Sequence, residues 1–146
     1  MQRIVAMFLV GLGVALAPIG GALADAECPS AVARVPAGDW LLGTWRNTYY
    51  TLTFRRDGDR IRWAMERPSH PSERWGKKAA MNASGDVIRV SACAVELDGR
   101  YDWSESQYLV GKPMQYRGRF DGAGGLNGEI YGAAHEWMPM RFNRDQ

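Results

Sequence analysis

The sequence has little of what protein chemistry usually draws on. Two cysteines and two histidines occur in 146 residues, and the cysteines, Cys28 and Cys93, form neither a Cys-x-x-Cys pair nor a zinc spacing, so a dithiol redox site and a cysteine metal site are set aside. No nucleophile elbow, zincin helix, P-loop or dinucleotide fingerprint is present. No metal and no cofactor is expected. Charge of one sign is also lacking: 18 Lys and Arg against 16 Asp and Glu leave a net charge of +2, which supplies no general field toward nucleic acid or a membrane surface. No nucleic-acid partner is expected. The longest uncharged apolar run, Ile4 to Ala17, is 14 residues, short of the roughly 20 that span a bilayer as a helix. Amphipathic helical periodicity, internal repeats and low-complexity tracts are absent.

That apolar run has the order of a secretory signal peptide. Arg3 precedes it, Pro18, Gly20 and Gly21 break it, and Ala22-Leu23-Ala24 offers small residues to a peptidase. Cleavage is expected after Ala24, leaving a periplasmic or secreted chain with no membrane span. Asp25-Ala26-Glu27 ahead of Cys28 is too acidic for a lipid-attachment signal. The expected organisation is a signal peptide over 1–24, an arm over 25–42, one β domain over 43–143 and a tail over 144–146. Monomers or small oligomers are both compatible with it. Export favours a disulfide between Cys28 and Cys93, the alternative being two buried thiols.

What is abundant is aromatic and glycine: 6 Trp, 6 Tyr, 4 Phe and 17 Gly, an all-β composition. Tyr50, Leu52 and Phe54 alternate with polar residues, Asp57-Gly58 marks a turn, and Ile61, Trp63 and Met65 alternate after it. Pairing Arg56 with Asp59 sets Phe54 opposite Ile61 and Leu52 opposite Trp63, with every large apolar side chain on one face. Pro68 and Pro71 mark a loop. Trp75 to Ala83 is a weaker strand, Ser84-Gly85-Asp86 reads as a turn, and strands at Val87 to Val90 and Val95 to Tyr101 flank a turn at Ser91 to Ala94. Asp102 to Lys112 reads as the longest loop. A second hairpin pairs Phe120 with Leu126, Tyr116 with Ile130 and Gly118 with Gly128, facing glycines that mark a bend or close backbone approach. Met138, Met140 and Phe142 share a face of the last strand. Seven or eight antiparallel strands with short connections predict an up-and-down β-barrel, because closure removes both edges. A two-sheet sandwich is the alternative.

The Gly43-Thr44-Trp45 tripeptide, opening such a barrel, resembles the entrance motif of the calycin group, which comprises lipocalins, fatty-acid-binding proteins and avidins. The resemblance implies that Trp45 closes one barrel end under a basic residue of the last strand, Arg141 or Arg144. It also implies, from the avidin opening, that Asn47 faces a ligand; biotin itself is not expected. Trp45 and Asn47 are odd-numbered whereas Tyr50, Leu52 and Phe54 are even, so a bulge is expected across Asn47 to Tyr49, or else Trp45 caps the barrel from outside the strand pattern.

Three readings of function follow. In the first, the barrel binds a small apolar or amphipathic molecule through Trp103, Tyr108, His135, Glu136 and Trp137, from two loops at one end beside the Asp57 turn. Asp102 and Glu105 are further acids there. In the second, a small cyclase or isomerase uses His135, Glu136 or Tyr108; His70 falls at the opposite end on an eight-strand count. In the third, the loops form an interaction surface, for example that of an inhibitor of an envelope hydrolase. Arg55, Arg56, Arg60 and Arg62 cluster on the first hairpin, with Arg55 opposite Arg60, as an anion patch or a solvated face.

Overall fold

The computed structural model describes Cys28, residues 38–72 and residues 76–145. The signal peptide expected at Met1 to Ala24, the arm residues 25–27 and 29–37, and Trp75 lie outside the described residues. Among the described residues there are ten strands: β1 (Gly43–Arg46), β2 (Thr51–Asp57), β3 (Arg60–Arg67), β4 (His70–Ser72), β5 (Gly76–Lys78), β6 (Met81–Val90), β7 (Ala94–Ser104), β8 (Pro113–Phe120), β9 (Gly125–Tyr131) and β10 (Trp137–Arg144). Strands β4 and β5 form a small separate hairpin. The other eight pair in chain order, and β1 pairs with β10, which closes an up-and-down antiparallel barrel. Closure excludes the sandwich. The helices among the described residues are single 3-10 turns at Asp39–Leu41 and Gln107–Leu109, and none is long and apolar enough to cross a membrane.

Strand β1 corrects the expected bulge. The chain does not run on from Trp45 to Phe54; it reverses at residues 47–50, and β1 pairs antiparallel with β2 with Trp45 opposite Leu52. An odd residue facing an even one across a hairpin points the same way, so both side chains turn inward without a bulge. The Asn47 carboxamide oxygen makes the turn by accepting from the N–H groups of Tyr49 at 2.9 Å and Tyr50 at 2.8 Å, an Asx-type turn.

The β2–β3 register is displaced by two residues from expectation. Gly58 and Asp59 form the loop, Asp57 faces Arg60, and Phe54 faces Trp63. Gly58, at φ 59°, takes the first central position, which a type II′ turn gives to glycine. A shift of two leaves each side chain on its face. The apolar face is therefore unchanged, and Arg55 meets Arg62 instead of Arg60.

Ser84-Gly85-Asp86 is not a turn. Strand β6 runs through it, and Gly85 faces Gly99 of β7. The β8–β9 register is as expected, with Phe120 opposite Leu126, Gly118 opposite Gly128 and Tyr116 opposite Ile130.

The barrel interior is filled. Trp45, Leu52, Met65, Met114, Leu126 and Phe142 are each 0% exposed, and Phe54, Ile61, Trp63, Leu97 and Tyr116 are 6% or less. The six at 0% have no room for a water-sized molecule against them.

Chain order also assigns the ends. The 3-10 turn at Asp39–Leu41, the start of β1 and the turns at 58–59, 91–93 and 121–124 share one end, called here the arm end. Residues 47–50, 68–72, 76–80, 105–112 and 132–136 share the other, the loop end. At the arm end Trp40 stacks on Phe120 with centroids 5.6 Å apart, Trp45 meets Phe120 edge-on at 5.8 Å, and a disulfide joins Cys28 to Cys93.

Candidate functional site

The entrance residues are structural in their contacts. Trp45 donates its indole N–H to the Leu41 carbonyl at 2.8 Å. The guanidinium above its ring, 4.9 Å from the centroid, belongs to Arg144, which also donates to the carbonyls of Trp40 and Leu42. Arg141 faces outward and bonds Asp121, Asn127 and Asn143. The alternation of β10 explains the choice: Phe142 points inward, as does Arg144 two residues on, whereas Arg141 lies on the other face. Asn47 spends its oxygen on the turn, and its amide nitrogen lies 2.9 Å from Met140 Sδ and 3.2 Å from the Arg141 carbonyl.

The loop-end residues share an end, as expected, but the Asp57 turn is at the other one, because β1 adds a strand ahead of the first hairpin. The same added strand brings the His70 and His135 loops to one end, where opposite ends were expected. His70 packs edge-on against Tyr49 at 5.1 Å. His135 is exposed in a left-handed turn at φ 57° and donates its backbone N–H to the Gly132 carbonyl. Glu136 is exposed, and Trp103 and Tyr108 are 47% and 62% exposed.

Beneath them the mouth is closed. Leu109, from the 3-10 turn, and Tyr101 are buried. The Tyr101 hydroxyl accepts from the Ala133 N–H at 3.2 Å, and burial pushes its pKa above the ordinary tyrosine range despite that bond. Arg67 bonds the Tyr50 hydroxyl at 2.9 Å and clamps the Ala79 carbonyl with two nitrogens at 2.9 and 2.7 Å. Glu105 accepts from the Ala80 N–H at 2.9 Å, which fastens the β5–β6 connection to the β7–β8 loop.

Trp137 stands on the outer wall. Arg117 lies 4.4 Å over its ring, Tyr131 is 5.7 Å away, and Arg117 is bound to Glu129 at 2.7 Å. Together with Ile88, 62% exposed, Trp137 and Arg117 line a shallow groove across β6 to β10. Sequence reasoning missed Arg117, Tyr131 and Ile88. Ile88 is the extra residue of a bulge in β6, between Val87 and Arg89, and the adjacent apolar pair Val87-Ile88 was its signal, since two successive strand residues cannot both face the core.

The four arginines do not form one patch. Arg56 turns to the arm end and pairs with Asp39, Arg60 faces Asp57, and Arg55 and Arg62 stand side by side on the outer wall. Arg62 is 3.7 Å from Asp86. Among the described residues no group of three or more His, Cys, Asp or Glu is placed to hold a metal ion. No protein-family model matches the chain, and no curated protein and no solved structure shows significant similarity to it.

Proposed function

We propose that this chain is an exported, calycin-like barrel that acts by binding a partner protein at its outer surface, as an interaction or inhibitor module, without chemistry of its own. The observation that carries this reading is the filled interior set against the apolar groups left outside: Ile88, Trp103, Tyr108, Val110, Trp137 and Met138 are all at least 37% exposed. Trp, Tyr and Arg at a surface are the residue types that dominate protein contacts. The Arg144 to Trp45 contact supports the calycin-like assignment. Export to the periplasm or beyond is supported by the apolar leader and by the disulfide.

The carrier reading, a small apolar or amphipathic ligand, keeps only the loop-end rim as a seat. The enzyme reading needs an acid-base group beside an enclosed pocket, whereas His135, Glu136 and Tyr108 are open to solvent. Affinity isolation from the host's envelope fraction tests the proposal, with wild type compared against Trp103→Ala and Trp137→Ala. A stoichiometric partner that one of these variants loses, with unchanged melting, is expected. A partner held equally by wild type and both variants contradicts it.

A further inference from the structure

A concavity lies on the barrel wall, with none of the loop-end aromatics in its lining. Its shape follows from the strand register. Thr44, Thr53, Ala64 and Ser84 face one another in a single row across β1, β2, β3 and β6. All four are small, so the row is the floor of a trough about 14 Å long, at about 4.8 Å per strand. One wall is the outward row two residues toward the arm end, Arg55, Arg62 and Asp86; the other is Arg46, Thr51 and Glu66.

Charge divides this trough. Its β1–β2–β3 half carries the guanidiniums of Arg46, Arg55 and Arg62 around the Thr44 and Thr53 hydroxyls. Its β3–β6 half carries Glu66, Asp86 and the Ser84 hydroxyl. Arg46 is paired with Asp145 at 2.8 Å, and among the described residues Arg62 has only the 3.7 Å contact with Asp86. Arg55 has no side-chain ion pair or hydrogen bond among the described residues. Two arginines opposite each other on a ladder repel, and an oxyanion between them would relieve that repulsion while using their donors in pairs.

We propose that the trough binds an oligosaccharide carrying an acidic sugar. The sugar carboxylate sits between Arg55 and Arg62, and neutral neighbours run toward Ser84, where Glu66 and Asp86 accept hydroxyl hydrogen bonds. A uniform polyanion such as nucleic acid would meet those two carboxylates. A peptide backbone finds no free ladder group, since β2 and β3 are paired on both edges. This site shares no residue with the partner surface proposed above, although Trp103 lies two strands beyond Glu66 in the same cross-strand row.

The test is backbone amide NMR with a tetrasaccharide ending in glucuronic acid, beside the same compound with its carboxyl reduced to the alcohol. Saturable shifts at Thr44, Thr53, Ala64 and Ser84 with the acid alone are expected, weakened at least tenfold by the double variant Arg55→Gln, Arg62→Gln. Thermal unfolding of that variant should match wild type, because only exposed side chains change. Equal binding of the reduced compound, shifts confined to other residues, or an unaffected double variant overturns the proposal. Equal binding of a poly-glutamate peptide overturns the saccharide assignment, and so do the same shifts from sodium sulfate at equal concentration.

Discussion

Gly85 and Gly99 face each other with the Trp63 indole against them, its N–H 3.2 Å from the carbonyls of both Asp86 and Asp98. A Cβ on Gly85 would stand 2.0 Å from the Asp98 carbonyl oxygen and 2.6 Å from the Gly99 Cα. Backbone atoms cannot swing aside as a side chain can. Gly85→Ala is therefore expected to cost about 3 kcal/mol, the upper part of the usual range for overpacking, measured by urea unfolding. The same physics reads differently in two places of the sequence. Gly118 and Gly128 sit within two clearly alternating strands, so their facing was legible. Gly85 lies between Ser84 and Asp86, both turn formers, and its partner strand was needed to tell a close approach from a turn.

Tyrosines bring pH into the residue account. Burial raises the pKa of Tyr116, and of Tyr101 to a lesser degree, above the ordinary 10.0. The Tyr116 hydroxyl donates within the core to the Leu126 carbonyl at 3.2 Å. Above pH 10 the unfolded chain loses these protons while the folded chain keeps them, so stability is complete below pH 10 and falls as pH rises. For Tyr116, the more strongly shifted, the slope approaches about 1.4 kcal/mol per pH unit. Denaturation at pH 9, 10 and 11 should show this fall, and Tyr116→Phe should flatten it.

At the scale of elements, the decisive one is also the shortest. Strand β1 has four residues, and its two pairs with β10, Trp45 with Arg144 and Arg46 with Asn143, close the barrel. Periodicity could not reveal it, because four residues hold only one inward side chain of size, Trp45. Its absence from the sequence reading shifted the histidine and Asp57 ends. The Cys93 end nevertheless came out correctly, since splitting β6 into two strands compensated for the missing β1. Asn47 sets the turn between β1 and β2, and truncating it leaves two backbone N–H groups without their acceptor. Asn47→Ala is expected to cost about 1–2 kcal/mol, and hydrogen exchange should quicken first at Trp45 and Leu52 if β1 frays from the barrel.

Strand β10 outruns β1, so among the described residues its first half has a strand partner only in β9. Pro139 lies in that half and withholds a donor from any strand approaching the open side.

For the molecule as a whole, the disulfide spans 65 residues of sequence and ties the arm to the turn between β6 and β7. Chain entropy puts its contribution at about 4 kcal/mol. Reduction should lower stability toward that amount while β-sheet circular dichroism persists, because the ladder of eight strands does not pass through the bridge.

The barrel class, its closure, the inward faces and the disulfide were legible because each rests on alternation, turn chemistry or topology. The candidate site was less so. Whether inward residues fill a barrel or line a cavity depends on how Trp45, Trp63, Tyr116 and Phe142 interlock across strands distant in sequence, and the outer trough depends on a four-strand register that no local pattern displays.

The protein's own side chains occupy the interior, and binding is expected outside it. Native mass spectrometry of the protein purified from its own host is the test. No apolar or amphipathic small molecule is expected at one per barrel; one retained at that ratio would contradict a filled interior.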